Sequence, residues 1–205
     1  MRPITVSYTP ADDDTDGFAN DVNTTSGLPF TLAATTAGDD LAHLVIITPS
    51  GSVTGNYLLT GTDADGHTQT ETLATSTTNP VTSAKYYKTL TQVLAPAGIG
   101  ANTVDIGWTD DIVSPTIPLD WPVNPINVSI FVDISGTISY TAQHTFQNVL
   151  AVANPAQGVW MPHATVVSKT VDFDGTYTFP VMATRLLINS LSSGATIAFT
   201  VIQAG

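Results

Sequence analysis

The sequence predicts an all-β chain built of two β modules of sandwich, jelly-roll or barrel type, and three observations carry that expectation. About one residue in six is threonine and valine is frequent, whereas Lys, Arg and Glu are scarce, a balance that suits pleated strands and disfavours solvent-facing helices. Segments of strand character recur roughly every ten residues, punctuated by Asp-Gly, Ser-Gly and Pro-containing turns. No stretch of helical period separates them, which argues against a parallel sheet with crossover helices.

Residues 4–9 read as a short strand closed by Pro10, and Asp12, Asp13, Asp14, Asp16 and Gly17 follow as an acidic loop or linker. Residues 30–33 and 41–48 come next. The run Leu44, Val45, Ile46, Ile47 is short enough for a strand buried on both faces, and Pro49-Ser50-Gly51 stops it. Residues 56–61 and 68–73 flank Asp63-Ala64-Asp65-Gly66, where the glycine supplies the positive φ of a tight hairpin turn. Residues 85–94 and 103–108 complete this region, separated by Pro96-Ala97-Gly98.

Between residues 109 and 125, Pro115, Pro118, Pro122 and Pro125 are spaced too closely for a central strand or a helix, so a stiff extended joint is expected. Residues 127–134 and 137–146 flank Ser135-Gly136. Val128, Ile130, Val132 and Ile134 alternate with polar neighbours, which reads as a second hairpin. Residues 149–158 are looser and 160–162 are punctuated by aromatic and proline residues. Residues 164–171, 175–180, 184–188 and 195–202 read as four more strands, with Asp174-Gly175 and Ser193-Gly194 as turns.

Composition narrows the function classes. With 42% hydrophobic and 11% charged residues the chain can bury a core. A net charge of −12 with only five scattered Lys and Arg disfavours a nucleic-acid partner, because phosphate binding needs clustered cations. There is no cysteine, so disulfides and thiolate chemistry are excluded. No apolar run approaches membrane-spanning length and the first residues lack a secretion-signal pattern, so synthesis in a cytoplasm and no membrane partner are expected.

Two stretches carry a resemblance. Residues 56–73, from Asn56-Tyr57-Leu58-Leu59 to Glu71-Thr72-Leu73, with Ser83-Ala84-Lys85-Tyr86-Tyr87-Lys88 after them, are similar to a module of tailed-bacteriophage virion proteins. The ending, from Thr176-Tyr177-Thr178-Phe179-Pro180 through Ala183-Thr184-Arg185-Leu186 to Val201-Ile202-Gln203-Ala204-Gly205, resembles that of small phage proteins that open with a strand like Arg2-Pro3-Ile4-Thr5-Val6. The resemblance implies a structural role without catalysis. It also implies a discontinuous domain of residues 1–10 and 113–205 with a module, residues 11–112, inserted in it, the first strand pairing with the later part. The expected role is a capsid decoration or cement protein, with a tail, neck or head-fibre component as the alternative. Its expected partners are the major capsid protein or other virion proteins, and it would act as a homotrimer or other homo-oligomer within the virion.

The residues yield little catalytic or metal chemistry. Asp12, Asp14 and Asp16 before Gly17 match half of a calcium loop, but Asn23 stands where the bidentate Glu belongs, so a solvated acidic segment is the expected reading and no cofactor is assigned. His43, His67, His144 and His163 share no ligand spacing and are expected at the surface or at strand edges. No serine sits in a nucleophile elbow, and the carboxylates are explained by turn preference rather than a glycosidase pair. Trp108, Trp121 and Trp160 with Tyr86, Tyr87 and Phe131 are expected in core or intersubunit packing, or else as a carbohydrate platform. Of these, Trp121, Trp160, Tyr86 and Tyr87 are the interface candidates.

Overall fold

Thr- and Val-rich alternation has a simple outcome here: nearly every regular element is a strand, and among the described residues the single helical element is one 3₁₀ turn, Pro155–Gln157. The computed structural model describes residues 3–75, 79–120, 122, 127–151 and 154–203. The first seven strands are β1 (Ile4–Tyr8), β2 (Asp14–Val22), β3 (Ala42–Pro49), β4 (Asn56–Thr62), β5 (Thr68–Ala74), β6 (Val81–Tyr87) and β7 (Thr89–Leu94). They are followed by β8 (Val104–Val113), β9 (Ile117–Pro118), β10 (Val128–Ser135) and β11 (Ile138–Thr145). The last four are β12 (Met161–Pro162), β13 (Phe173–Tyr177), β14 (Ala183–Leu191) and β15 (Thr196–Gln203).

The chain divides into two compact units, one formed by Met1–Asp12 with Asp111–Gly205 and the other by Asp13–Asp110. In the first, β1-β15-β10-β13 form one antiparallel sheet, with Ile4–Tyr8 paired to β15 from Val201 back to Ile197. The second sheet of this unit runs β12-β11-β14, with the end of β8 and the two residues of β9 also paired to β14. The two sheets bury Val128, Ile130, Val132, Phe199 and Val201 against Ile138, Tyr140, Ala142, Leu186 and Ile188. Tyr177 of β13 reaches Thr184 of β14 at 3.2 Å between the two hydroxyls, which ties sheet to sheet.

In the other unit, β3 lies between β8 and β6, β2 pairs with β8, and β5-β4-β7 form a separate three-stranded sheet. The Asp-Gly hairpin forms as its turn chemistry dictates: Thr62 faces Thr68, Gly66 has φ +85°, and the Asp63 carboxylate accepts from the amides of Asp65 and His67. β3 is fully buried on one face, at Val45, Ile47 and Pro49, and half-buried on the other, at Leu44, Ile46 and Thr48, so its apolar run is enclosed less completely than a strand buried on both faces would be.

Several expectations are corrected. Residues 135–136 do not close a hairpin. β10 pairs with β15 and β13, whereas β11 pairs with β14 and β12, so the chain crosses from one sheet to the other at this turn. A period-two strand needs an apolar partner face, and that face can lie in an opposed sheet as well as along a hairpin. The acidic segment is not a linker, because Asp14–Val22 is a strand against β8 whose irregular register leaves room for the packing of Phe18 on Trp108 at 4.8 Å between ring centroids. Gly17 is required there, since a Cβ would stand 2.3 Å from the Trp108 ring.

The expected strand over residues 85–94 is broken at Lys88, with β6 pairing β3 and β7 pairing β4. Part of the proline-rich joint is also strand, because β8 continues through Val113 and Ile117–Pro118 pairs with β14, where proline sits at the sheet margin. Residues 30–33 and 164–171 form no strand, although single bridges join Pro29 to Leu94 and Lys169 to Tyr140. Asp174-Gly175 lies inside β13 instead of forming a turn.

Two glycines of the same hairpin separate the two reasons for glycine. At Gly61 a Cβ would stand 2.0 Å from the Thr89 carbonyl oxygen, whereas Gly66 has open space but a left-handed φ. Gly61→Ala is expected to cost about 2–3 kcal/mol by forcing two backbones apart, and Gly66→Ala about 1 kcal/mol from φ alone. Urea unfolding of both variants measures the difference, and equal losses would contradict the strand contact.

Candidate functional site

The residues of one parity along β11 and beyond, Tyr140, Ala142, His144 and Phe146, point to one side of their sheet, and Phe173, Gly175, Tyr177 and Phe179 do the same along β13. Where these rows meet, four rings converge. His144 lies 5.3 Å from Tyr177, 5.4 Å from Phe146 and 5.7 Å from Phe179 between ring centroids, all edge-on. His163 packs on the other side of Tyr177 at 4.8 Å. Such edge contacts are worth about 0.5–1.5 kcal/mol each beyond burial.

Within this cluster His144 and His163 are buried, whereas Phe146 and Phe179, 5.9 Å apart, are 55% and 42% exposed. His163 is well partnered. Its Nε2 meets the Thr176 carbonyl at 3.2 Å, and its Nδ1 accepts from the amides of Thr165 and Val166. That pattern makes Nε2 the protonated nitrogen of the neutral ring. His144 has no hydrogen-bond partner at Nδ1. Burial, with His163 nearby, holds its pKa below the ordinary imidazole value. Burial likewise pushes the Tyr177 phenol up to about 12, so it stays neutral and donates or accepts at Thr184.

A cleft of about 460 Å³ opens beside this cluster, lined by His163, Thr165, Phe173, Asp174, Thr176 and Phe179 among others. It runs along the side of β13 that faces away from β10. Further exposed apolar side chains stand near the end of β11: Met161, which pairs opposite His144, and Val159, whose amide bonds Gln147. Leu150, 81% exposed, lies in the same connection.

The interface candidates are placed as follows. Trp160 is committed internally. Its indole N–H donates to the Pro155 carbonyl at 3.0 Å and its ring covers the Arg185 guanidinium at 4.2 Å, while Arg185 itself bonds Gln143 and the Ala156 carbonyl. Tyr87 is a buried core residue of the second unit, and Tyr86 is half-buried opposite Leu44. Trp121 lies outside the described residues. Trp108 is buried and Phe131 is 43% exposed on β10.

Asp14 and Asp16 are held within β2, the first accepting from the Asp16 amide at 3.2 Å and the second from the Asn20 side chain. Asp12 precedes that strand. Among the described residues no group of three or more His, Asp or Glu side chains forms a metal-binding cluster. His43, expected near the surface, is buried between the Thr109 carbonyl and the Asp39 carboxylate, each at 2.9 Å, and His144 and His163 are likewise buried. The sequence reading did not single out Phe146 and Phe179. The period of two that carries Tyr140 to Phe146 and Phe173 to Phe179 was the signal for both.

The fold is that of an all-β protein of antiparallel sheets, in which the first unit is a two-sheet sandwich. No protein-family model, curated protein or solved structure matches the chain.

The depressed His144 pKa makes a signed prediction. The unfolded chain takes a proton near pH 6.5 while the folded one resists it, so stability is full above that pH and falls as pH drops toward the folded value, by at most about 1.4 kcal/mol per pH unit. His144→Gln removes this term. Thermal melts between pH 7.5 and 5 are expected to show a shallower loss for the variant, and parallel curves would contradict the buried neutral ring.

Proposed function

We propose that this chain is a non-enzymatic structural protein of tailed-phage virions, acting as a decoration or cement protein on the outside of the head. The observation that carries the reading is the group of exposed apolar side chains, Phe146, Val159, Met161 and Phe179, around the end of β11, with Phe179 also lining the adjoining cleft. Rigid aromatic anchors on a surface suit a protein partner, here the major capsid protein and further copies of the chain in a homotrimer or other small homo-oligomer.

The mechanism is mass action. A protein that binds the assembled shell and not its free subunits stabilises the shell by the free energy of that binding, repeated at every site. The acidic surface supports an exterior place, since a net charge of −12 repels DNA and keeps an abundant protein soluble. The resemblance of residues 56–73 and of the ending supports the virion setting. The carbohydrate-platform reading loses support from Trp108 and Trp160, whose rings are engaged inside the chain.

Quantitative mass spectrometry of purified particles that carry the chain tests this reading. A copy number near that of the major capsid protein is the expected result. A few dozen copies or fewer would place the protein in the tail or neck, and absence from particles would overturn the virion reading. The double variant Phe146→Ser, Phe179→Ser is expected to bind emptied shells at least about tenfold more weakly, since an aromatic anchor contributes upward of about 1 kcal/mol. Undiminished binding would remove these side chains from the interface.

A further inference from the structure

Among the described residues β13 is the last strand of its sheet and pairs with β10 on one side only, Val128 facing Tyr177, Ile130 facing Gly175 and Val132 facing Phe173. The backbone N–H and C=O of one residue in an antiparallel strand point to the same side, and alternate residues point to opposite sides. The Thr176 carbonyl meets His163 Nε2 outside the sheet, so Thr176 and, two residues before it, Asp174 direct their backbone groups away from β10 and into the cleft. His163 occupies one of these groups. By this alternation the Thr176 N–H and both backbone groups of Asp174 are directed toward the cleft, whose lining includes Phe173 and Phe179.

We infer that this edge takes an extended segment of a partner protein as a fifth strand, and that the segment carries Lys or Arg against Asp174. Strand addition uses main-chain hydrogen bonds for affinity and side-chain pockets for specificity. The charge around the edge selects the occupant. Asp133, Asp172 and Asp174 are exposed along β10 and β13, and the nearby cation, Lys169, lies over the Phe173 ring at 4.0 Å. A second copy of β13 would bring Asp174 toward another Asp174, whereas a basic strand meets opposite charge. The same carboxylate disfavours self-pairing of this edge, as charges on the edge strands of natural sheets do. The phenylalanines that bound the cleft receive apolar side chains of the incoming strand.

The inference rests on the assembly reading for its biological partner but is tested without it. The probe is a fluorescein-labelled nonapeptide of alternating lysine and valine, titrated into the full chain and followed by fluorescence polarisation, with a glutamate-valine peptide for comparison. Saturable binding of the lysine peptide and at least about tenfold weaker binding of the glutamate peptide are expected. Thr176→Pro points its ring into the cleft and removes an N–H that β10 does not use, so the sheet survives while docking is lost by about tenfold or more. Asp174→Lys, at an exposed position, is expected to lose the lysine peptide to a similar extent, with thermal melts confirming that both variants fold.

No saturable binding up to about 1 mM overturns the inference, as does binding undiminished in both variants, which would mark diffuse attraction to an acidic surface. Loss in Thr176→Pro alone overturns the basic occupant. Loss in Asp174→Lys alone overturns strand addition. Peptide binding by a chain absent from particles would sink the virion reading and leave the edge site standing. A chain present at shell stoichiometry that ignores the peptide would sink the edge site alone.

Discussion

The structure of the first unit depends on two short connections that carry the chain from one sheet to the other. Gly136, with φ +87°, passes the chain from β10 to β11, and Gly194, with φ +76°, passes it from β14 to β15, each time between sheets. The two crossings brace each other. The Ser192 amide donates to the Thr137 carbonyl at 2.9 Å, the Ser192 hydroxyl accepts from the Thr137 amide, and Ala195 packs so closely under Gly136 that a Cβ there would stand 2.9 Å away. Because these neighbours in sequence are sent to opposite sheets, the long strands β1, β10, β11, β14 and β15 find one another far along the chain. That is why Ile4–Tyr8 pairs with β15, nearly two hundred residues later.

The same constraint produces the candidate site. With β11 and β13 on opposite sheets, the inward rows that end in Phe146 and Phe179 converge over Tyr177 and the two histidines. Gly175 lets that packing close, since a Cβ there would crowd His163 and Val166 at 2.9 Å. Among the described residues the arrangement places β13 at a margin of its sheet, so one strand contributes a core tyrosine and lines the cleft.

Much of the fold was legible wherever the signal was local. The Asp63-to-Gly66 turn needs only its own four residues, and β3, β4, β5, β14 and β15 follow from alternation or an unbroken apolar run. The pairing of β1 with the later part of the chain was expected from the likeness of its opening to phage proteins and was not readable from its five residues alone. What failed was non-local. Ser135-Gly136 suits a hairpin and a sheet crossing equally well, and only the partners β15 and β14 decide between them. Asp14–Val22 reads as loop by its composition, and becomes strand because Phe18 and Ala19 are buried beside Trp108. The histidines looked unrelated because 19 positions separate His144 from His163, while the turn of the chain that unites them is set by Tyr177 on a third segment. Trp160 was visible as an aromatic, but its use against Arg185 was not.

The sheet-crossing connections are the claim on which the sandwich, the aromatic cluster and the open edge all rest, and backbone NOEs in the isotope-labelled chain test it most directly. Close contacts between the backbones of Val132 and Phe199 and between those of Ala142 and Leu186 are the expected result. Contacts between Val132 and Ser139 in their place would mean that β10 and β11 form a hairpin, and would contradict the fold described for this unit.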